Sequence, residues 1–376
     1  MRSLSITALV LSIWSVAPAS ADLFSVGDFK AYGDFRFRAE SDWDSRDASG
    51  APRDDRTRLR VRLRTGFTLD FDDHWRVEAR LRSGAEDSHQ SPHITIVDFD
   101  DNDTGDASFQ LDRWYLQGTT GGLYAWAGRN SLPIWKQNEM LFDDDATMAG
   151  LGVGWKGDVG PGRLSLGGGH FSPPVGMRSF SGNLTAAQVA YAPELAGTRW
   201  TMALGLFRFD ADPDDPDAAT LLQGNGSRDY SIQTASVQAR FSVGDRPLTL
   251  GGDLFHNDEG YSASDPDPFT AANHDETDGY VLQATYGSLS DSGDWLLGYY
   301  YASIDALAVN NSYAQDDWVR WGSATQTRGS EMKGHELRAG WALNAKMNLL
   351  FRVYLVEAIT SVEDGNRARL DFDYSF

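Results

Sequence analysis

From Thr57 to Thr65 every second residue is an arginine, and an apolar residue or Thr fills each place between. Thr57, Leu59, Val61, Leu63, Thr65, Phe67 and Leu69 hold the odd positions, while Arg58, Arg60, Arg62 and Arg64 fill the even positions between them up to Thr65. A period of two predicts a strand. After the polar turn Asp70 to His74 the code resumes, with Trp75, Val77, Ala79 and Leu81 on one face and Arg76, Glu78, Arg80 and Arg82 on the other. The pair reads as a long hairpin with one apolar and one arginine-rich face. In ordinary sandwiches strands average about 5–6 residues, whereas each arm here reaches the roughly 9–11 residues that a tilted strand needs to cross a bilayer. Length therefore favours a membrane barrel whose apolar face meets lipid. Cost fixes the register: each arginine turned to lipid near the midplane would lose about 2–4 kcal/mol, and a slip by one residue would expose four. The arginines are expected to line the inside.

The same alternation runs along the rest of the chain. In Phe29 to Glu40 the residues Phe29, Ala31, Gly33, Phe35, Phe37 and Ala39 are expected outside, with Lys30, Tyr32, Asp34, Arg36, Arg38 and Glu40 inside. Ala85 to Ala107 is too polar and acidic to be embedded and reads as an extracellular loop. Phe109 to Gln117 follows with Trp114 and Leu116 outward; then Tyr124, Trp126 and Gly128 are expected outward, and Arg129 joins the lumenal set. From Asn130 to Thr147 the alternation lapses. This loop either caps the barrel or folds inward as a constriction, where Glu139, Asp143, Asp144 and Asp145 would face the arginines across the pore. Later strands repeat the pattern, giving about sixteen, an even number as in bacterial barrels. The predicted fold is all-β, a transmembrane antiparallel up-and-down barrel of the outer-membrane porin type. Short turns assign one end to the periplasm and long acidic loops the other to the outside. A barrel this wide is not filled by its own side chains and encloses a water channel.

The ends of the chain agree with that destination. Met1 to Ala21 carries Arg2, the apolar run Ala8 to Val16 and then Ala19-Ser20-Ala21, the layout of a secretory signal peptide rather than a membrane helix. Residues 22–376 then form a single barrel domain. In the last strand Leu370, Phe372, Tyr374 and Phe376 alternate with Arg369, Asp371, Asp373 and Ser375. This resembles the terminal-strand signature of bacterial outer-membrane barrels, which implies that Phe372, Tyr374 and Phe376 serve as an insertion signal for the barrel assembly machinery.

Composition excludes several classes. The 376 residues contain no Cys, which removes a disulfide scaffold, and no apolar run of about 20 residues, which removes a helical membrane protein. A net charge of −21 argues against nucleic acid. The mean hydropathy of −0.42 decides nothing, because only alternate strand residues of a barrel meet lipid. The acidic run Asp98 to Asp106 carries oxygen ligands suited to Ca²⁺, but Asp103 stands where an EF-hand loop requires Gly. It reads as a solvated loop that bridges lipopolysaccharide phosphates through divalent ions, and no metal site or cofactor is assigned. His335 has no serine at suitable spacing and the other histidines lie mostly in turns, so no enzyme activity is assigned.

The runs GDFRFRAE, RTRLRVRLRTGF, LDRWYLQ, AWAGRN and LFDDDATMAG resemble the putative porin family of Gram-negative bacteria, over Gly33 to Gly150 and the terminal strand. More loosely the chain is similar to alginate-export outer-membrane proteins, which share an arginine-lined barrel. The resemblance implies a passive channel with Arg58, Arg60, Arg62, Arg64, Arg76, Arg80, Arg82 and Arg129 on the pore wall and Asp143 to Asp145 at the end of the inward loop. Alginate exporters would bring a larger barrel and plugging segments, and no plug is visible in the sequence. The expected mechanism is electrostatic: a basic ladder acts where the lumen is narrower than the Debye length of about 8 Å and concentrates anions or acidic sugars, while acidic loops at the mouth attract cations first. The expected partners are outer-membrane lipid, lipopolysaccharide and small hydrophilic or anionic solutes. A homotrimer is compatible, since its interface would look like a lipid contact. The alternatives are a channel for acidic poly- or oligosaccharide and a structural or surface-binding barrel without transport.

Overall fold

The computed structural model describes residues 27–100, 105–211, 228–318 and 329–376. The expected signal peptide, residues 1–21, and part of the acidic run 98–106 lie outside them. Among the described residues sixteen long strands form one closed sheet: β1 Asp28–Arg46, β2 Arg56–Asp70, β3 Trp75–Ser83, β4 Phe109–Thr120, β5 Leu123–Asn130, β6 Met148–Val159, β7 Gly162–Ser172, β8 Asn183–Leu195, β9 Thr198–Asp210, β10 Tyr230–Val243, β11 Arg246–Asn257, β12 Asp278–Gly287, β13 Trp295–Ile304, β14 Met332–Asn344, β15 Met347–Ala358 and β16 Asp364–Ser375. Each pairs antiparallel with its neighbours, and β16 pairs with β1 from Asp34↔Ser375 onward, so no edge is left open. Closure is completed at the last residue, where Gly33 and Phe376 exchange two main-chain hydrogen bonds of 3.0 Å.

The lipid-facing register is that of the alternation. Leu204, Leu254, Leu282 and Leu297 stand 61%, 62%, 54% and 52% exposed on the outside, while Arg38, Arg369 and Asp371 on the other parity are buried. Connections at one end are as short as two residues, 121–122 and 160–161, and at the other as long as 305–331. By that asymmetry the first end is periplasmic.

Two local departures shift the pattern. Arg80 pairs with Arg113 but Leu81 pairs with Leu111, so Asp112 is an extra bulged residue. Phe109 and Leu111 before it and Trp114 and Leu116 after it can then all face lipid, although their parity changes. In β5 the expectation fails: Leu123, Ala125 and Ala127 face out, Trp126 is buried inside against Phe171, and Tyr124 packs beside it. The cause is that this half of the lumen is itself apolar. Trp126, Phe171, Phe207, Phe209 and Tyr230 surround Phe142 and Tyr313 of two inserted loops, so a large aromatic gains more inside than in lipid.

The lumen is thus partly filled at its outer end. The segment after Gly84 does not stay outside: His89 and Gln90 are buried in the barrel, and Ile94–Asp98 returns as a strand on β2. The connection after β13 also turns inward, and Ala306 to Ala314 are almost completely buried. His89 joins these pieces, with Nε2 donating to Ser312 O at 2.5 Å and Nδ1 accepting from Gly176 N at 3.0 Å. A plugging segment is therefore present where the sequence had given no sign of one. Its residues 306–314 alternate with no period, and nothing in their composition separates a plug from a surface loop.

Candidate functional site: the lumenal constriction

Strand register sets the chemistry of the inner wall from β14 through β16 and β1 to β4. Across the β16–β1 seam Arg36 stands opposite Asp373, Arg38 opposite Asp371, Glu40 opposite Arg369 and Asp42 opposite Arg367. All four pairs close, at 2.6, 2.7, 2.6 and 2.5 Å. On the other side of β1, Arg62 and Arg64 share Asp34 at 2.8 and 2.7 Å, and Arg58 contacts Glu40. Among the described residues Arg60 has only a longer contact to Glu40, 3.8 Å, and donates to Ser91 Oγ at 3.1 Å. Arg80 pairs with Asp112 at 2.5 Å, and Arg76 pairs with Asp70 at 2.6 Å near the short-turn rim.

The arginines point inward, but they do not form a bare ladder. A half-buried guanidinium without a counter-charge costs several kcal/mol, and cross-strand neighbours roughly 4.5–5.5 Å away are the nearest source of one. Two arginines hold inserted connections instead. Arg82 donates to the main-chain oxygens of Ser88 and His89, and Arg129 donates to Thr147 Oγ1 at 2.8 Å and Met177 O at 2.6 Å.

Loop 131–147 follows the inner wall. Trp135 N donates to Gln188 Oε1 at 2.7 Å, Gln188 Nε2 donates back to Trp135 O at 2.9 Å, and Asn138 Nδ2 donates to Asp253 at 2.5 Å. The approach is close enough that a Cβ on Gly167 would lie 1.8 Å from Pro133 O, so β7 needs glycine there. Returning toward β6, Asp143 N donates to Tyr313 O at 2.8 Å. Asp145 reaches Arg64 Nη1 at 2.6 Å and Arg62 Nη1 at 3.9 Å. Asp145 therefore touches the basic wall, where the sequence suggested opposition across open water. Asp143 is buried and accepts from Asp145 N at 2.7 Å.

Glu139 and Asp144 face the remaining gap. Together with Lys136 they line a cavity of ≈ 270 Å³ whose far side is Tyr300, Glu336, Arg338, Arg352 and Asp317. Lys136 Nζ holds Asp144 at 2.6 Å. Burial and then the charge of Asp144 push the Glu139 carboxyl up to about 8. Asp144 is mostly exposed, and the hydrogen bond from Glu139 and the Lys136 ammonium hold it down at about 2. The two carboxyls thus share one proton at neutral pH. Opposite them Arg338 is held by Glu336 and lies over the Tyr300 ring, 3.9 Å from its centroid. Arg338, Arg352 and Arg367 are not singled out by the sequence, and Arg369 enters it only through the alternation of the last strand. The signal is present in the alternation, since each occupies the inward parity of its strand, as Arg369 does beside the outward Leu370.

A sixteen-stranded closed barrel with a lipid-facing belt and a polar lumen narrowed by an inserted loop is an outer-membrane channel of the porin type, and its place is the outer membrane of a Gram-negative bacterium. Residues 49–175 match the putative porin family. No curated protein matches the chain. Among solved structures it is similar to OprB of Pseudomonas putida (TM-score 0.58, 14% identity, 93% of this chain and 94% of that one). It is also similar to a BenF-like porin from Pseudomonas fluorescens Pf-5 (0.52, 13%, 93% and 99%) and to OmpT, an outer membrane protein of Vibrio cholerae, in its trimer form (0.50, 10%, 93% and 100%). At these identities the likeness is one of fold.

Proposed function

We propose that the protein is a passive diffusion channel for small hydrophilic solutes that selects by charge at the gap between loop 131–147 and the wall of β13 to β15. The observation that carries this reading is the lining of one cavity by Asp144, the protonated Glu139 and Lys136 on the loop side and by Arg338 and Arg352 beside Glu336 and Asp317 on the wall side. Fixed opposite charges across a narrow, low-dielectric passage orient and sort ions that bulk water would screen. Anions follow the partly exposed arginines of the wall, which extend through Arg36, Arg58, Arg60 and Arg64 toward the short-turn end. The reading is of a channel rather than an enzyme. Phe372, Tyr374 and Phe376 act as the insertion signal, and a trimer, as in the OmpT structure, is the assembly we expect.

Reversal potentials in a KCl gradient across planar bilayers test the proposal. Anion preference that falls in an Arg338→Gln, Arg352→Gln double variant is expected. Cation preference that the double variant leaves unchanged would remove the wall from the mechanism.

A further inference from the structure

Resting on the reading of an anion-guiding channel, we propose that Arg38, Arg352 and Arg369 form a carboxylate-binding site which Asp317 of the plug occupies in the resting state, and from which acidic solutes displace it. The three guanidiniums lie on the adjacent strands β1, β15 and β16. Asp317 Oδ1 sits 2.5 Å from Arg369 Nη1 and 3.6 Å from Arg38 Nη1, and its Oδ2 sits 3.7 Å from Arg352 Nη1. One carboxylate contributed by a loop therefore meets three cations of the wall.

The site offers more than Asp317 uses. Among the described residues Arg38 Nη1 and Arg352 Nε are buried without a hydrogen-bond acceptor, and the short contact to Arg369 Nη1 is an ion pair off the hydrogen-bond axis. Other carboxylates do not make up the difference, because each is shared: Asp371 with Arg36, Glu40 with Arg58, and Glu336 with Arg338. Planar forks of this kind suit a carboxylate that can present both oxygens.

Asp317 also stands at the boundary of the passage. Its side chain keeps 20% exposure, whereas those of Arg38 and Arg369 keep 1% and 2%, and it lines the cavity beside Glu139. Displacement does not require the plug to leave. Arg367 Nη1 pins Asp317 O at 2.8 Å and Gln315 Oε1 accepts from Asp317 N at 2.8 Å, so only the side chain has to rotate. The neighbouring Asp145 on Arg64 and Arg62 repeats the arrangement in loop 131–147.

The test uses the full mature chain in planar bilayers, with block of KCl current by glucuronate and by glucose as the neutral probe of similar size. Asp317→Asn is expected to tighten glucuronate block about tenfold, the worth of one charge-assisted contact no longer competed for, and Arg352→Gln in that background to abolish the gain. Glucose should respond to neither. Unchanged glucuronate block, or an equal gain for glucose, overturns the proposal. A wild type that forms no channels would instead refute the porin reading beneath it. Should Asp317→Asn not fold, the unmodified chain decides: glucuronate but not glucose should shift the emission of buried Trp318, a signal absent in Trp318→Phe, and no shift overturns the proposal.

Discussion

Asp145→Ala removes the tie between loop 131–147 and the basic wall without touching a strand. Asp145 lies 2.6 Å from Arg64 Nη1 and 3.9 Å from Arg62 Nη1, with 12% of its side chain exposed. At that burial a hydrogen bond between charged groups is worth about 1.5–3 kcal/mol net. Arg64 keeps Asp34 at 2.7 Å, so no guanidinium is left bare and the larger penalty of an orphaned buried charge does not apply. A loss of about 2 kcal/mol shifts the docked-to-undocked ratio of the returning limb roughly 30-fold, at 1.4 kcal/mol per decade. The outgoing limb stays bound through Gln188 and Asp253. The expected phenotype is therefore a folded channel with larger, noisier single-channel currents. Asp145→Asn, which keeps the shape and one acceptor oxygen, should show a smaller change. A double-mutant cycle with Arg64→Gln should return a coupling of about 1 kcal/mol or more for groups in contact. Wild-type current noise in Asp145→Ala, or additive effects in the cycle, would show that the pair does not hold the loop.

The outer face and the proton shared within the loop give two further tests. Leu204, 61% exposed midway along β9, should cost about 2–4 kcal/mol of folding free energy in lipid vesicles when replaced by Arg, read by equilibrium unfolding in urea, whereas Leu204→Ala should cost less; an arginine accepted without loss would mean that this face does not meet acyl chains. Glu139 has its carboxyl raised from 4.5 to about 8, so its contribution to loop docking is complete below pH 4.5 and lost as pH rises through about 8. Channel noise should therefore increase between pH 5 and 9, where Asp144, Lys136 and Asp317 surround the group, and Glu139→Gln should flatten that profile; an identical profile in the variant would remove Glu139 as its source.

What could be read from the sequence depended on which contacts were local. Alternation at 57–69 and 75–82 determined strand, face and membrane in one step, because a wrong register would have placed four arginines in lipid and no tertiary contact could repay that. The same rule misplaced Trp126, for it equates an apolar side chain with lipid, and that holds only where the lumen is wet. Whether it is wet depends on segments 85–93 and 305–318, whose inward path is fixed by contacts such as His89 with Ser312, 223 residues apart in the chain. Charge behaved in the same way. The arginine face was visible from β2 alone, but its neutralisation required the pairing of β1 with β16, and that seam exists only once the barrel closes. Hence the polarity of the wall could be read strand by strand, while the field in the passage is a property of closure and of two inserted carboxylates, Asp145 and Asp317, that no periodicity announces.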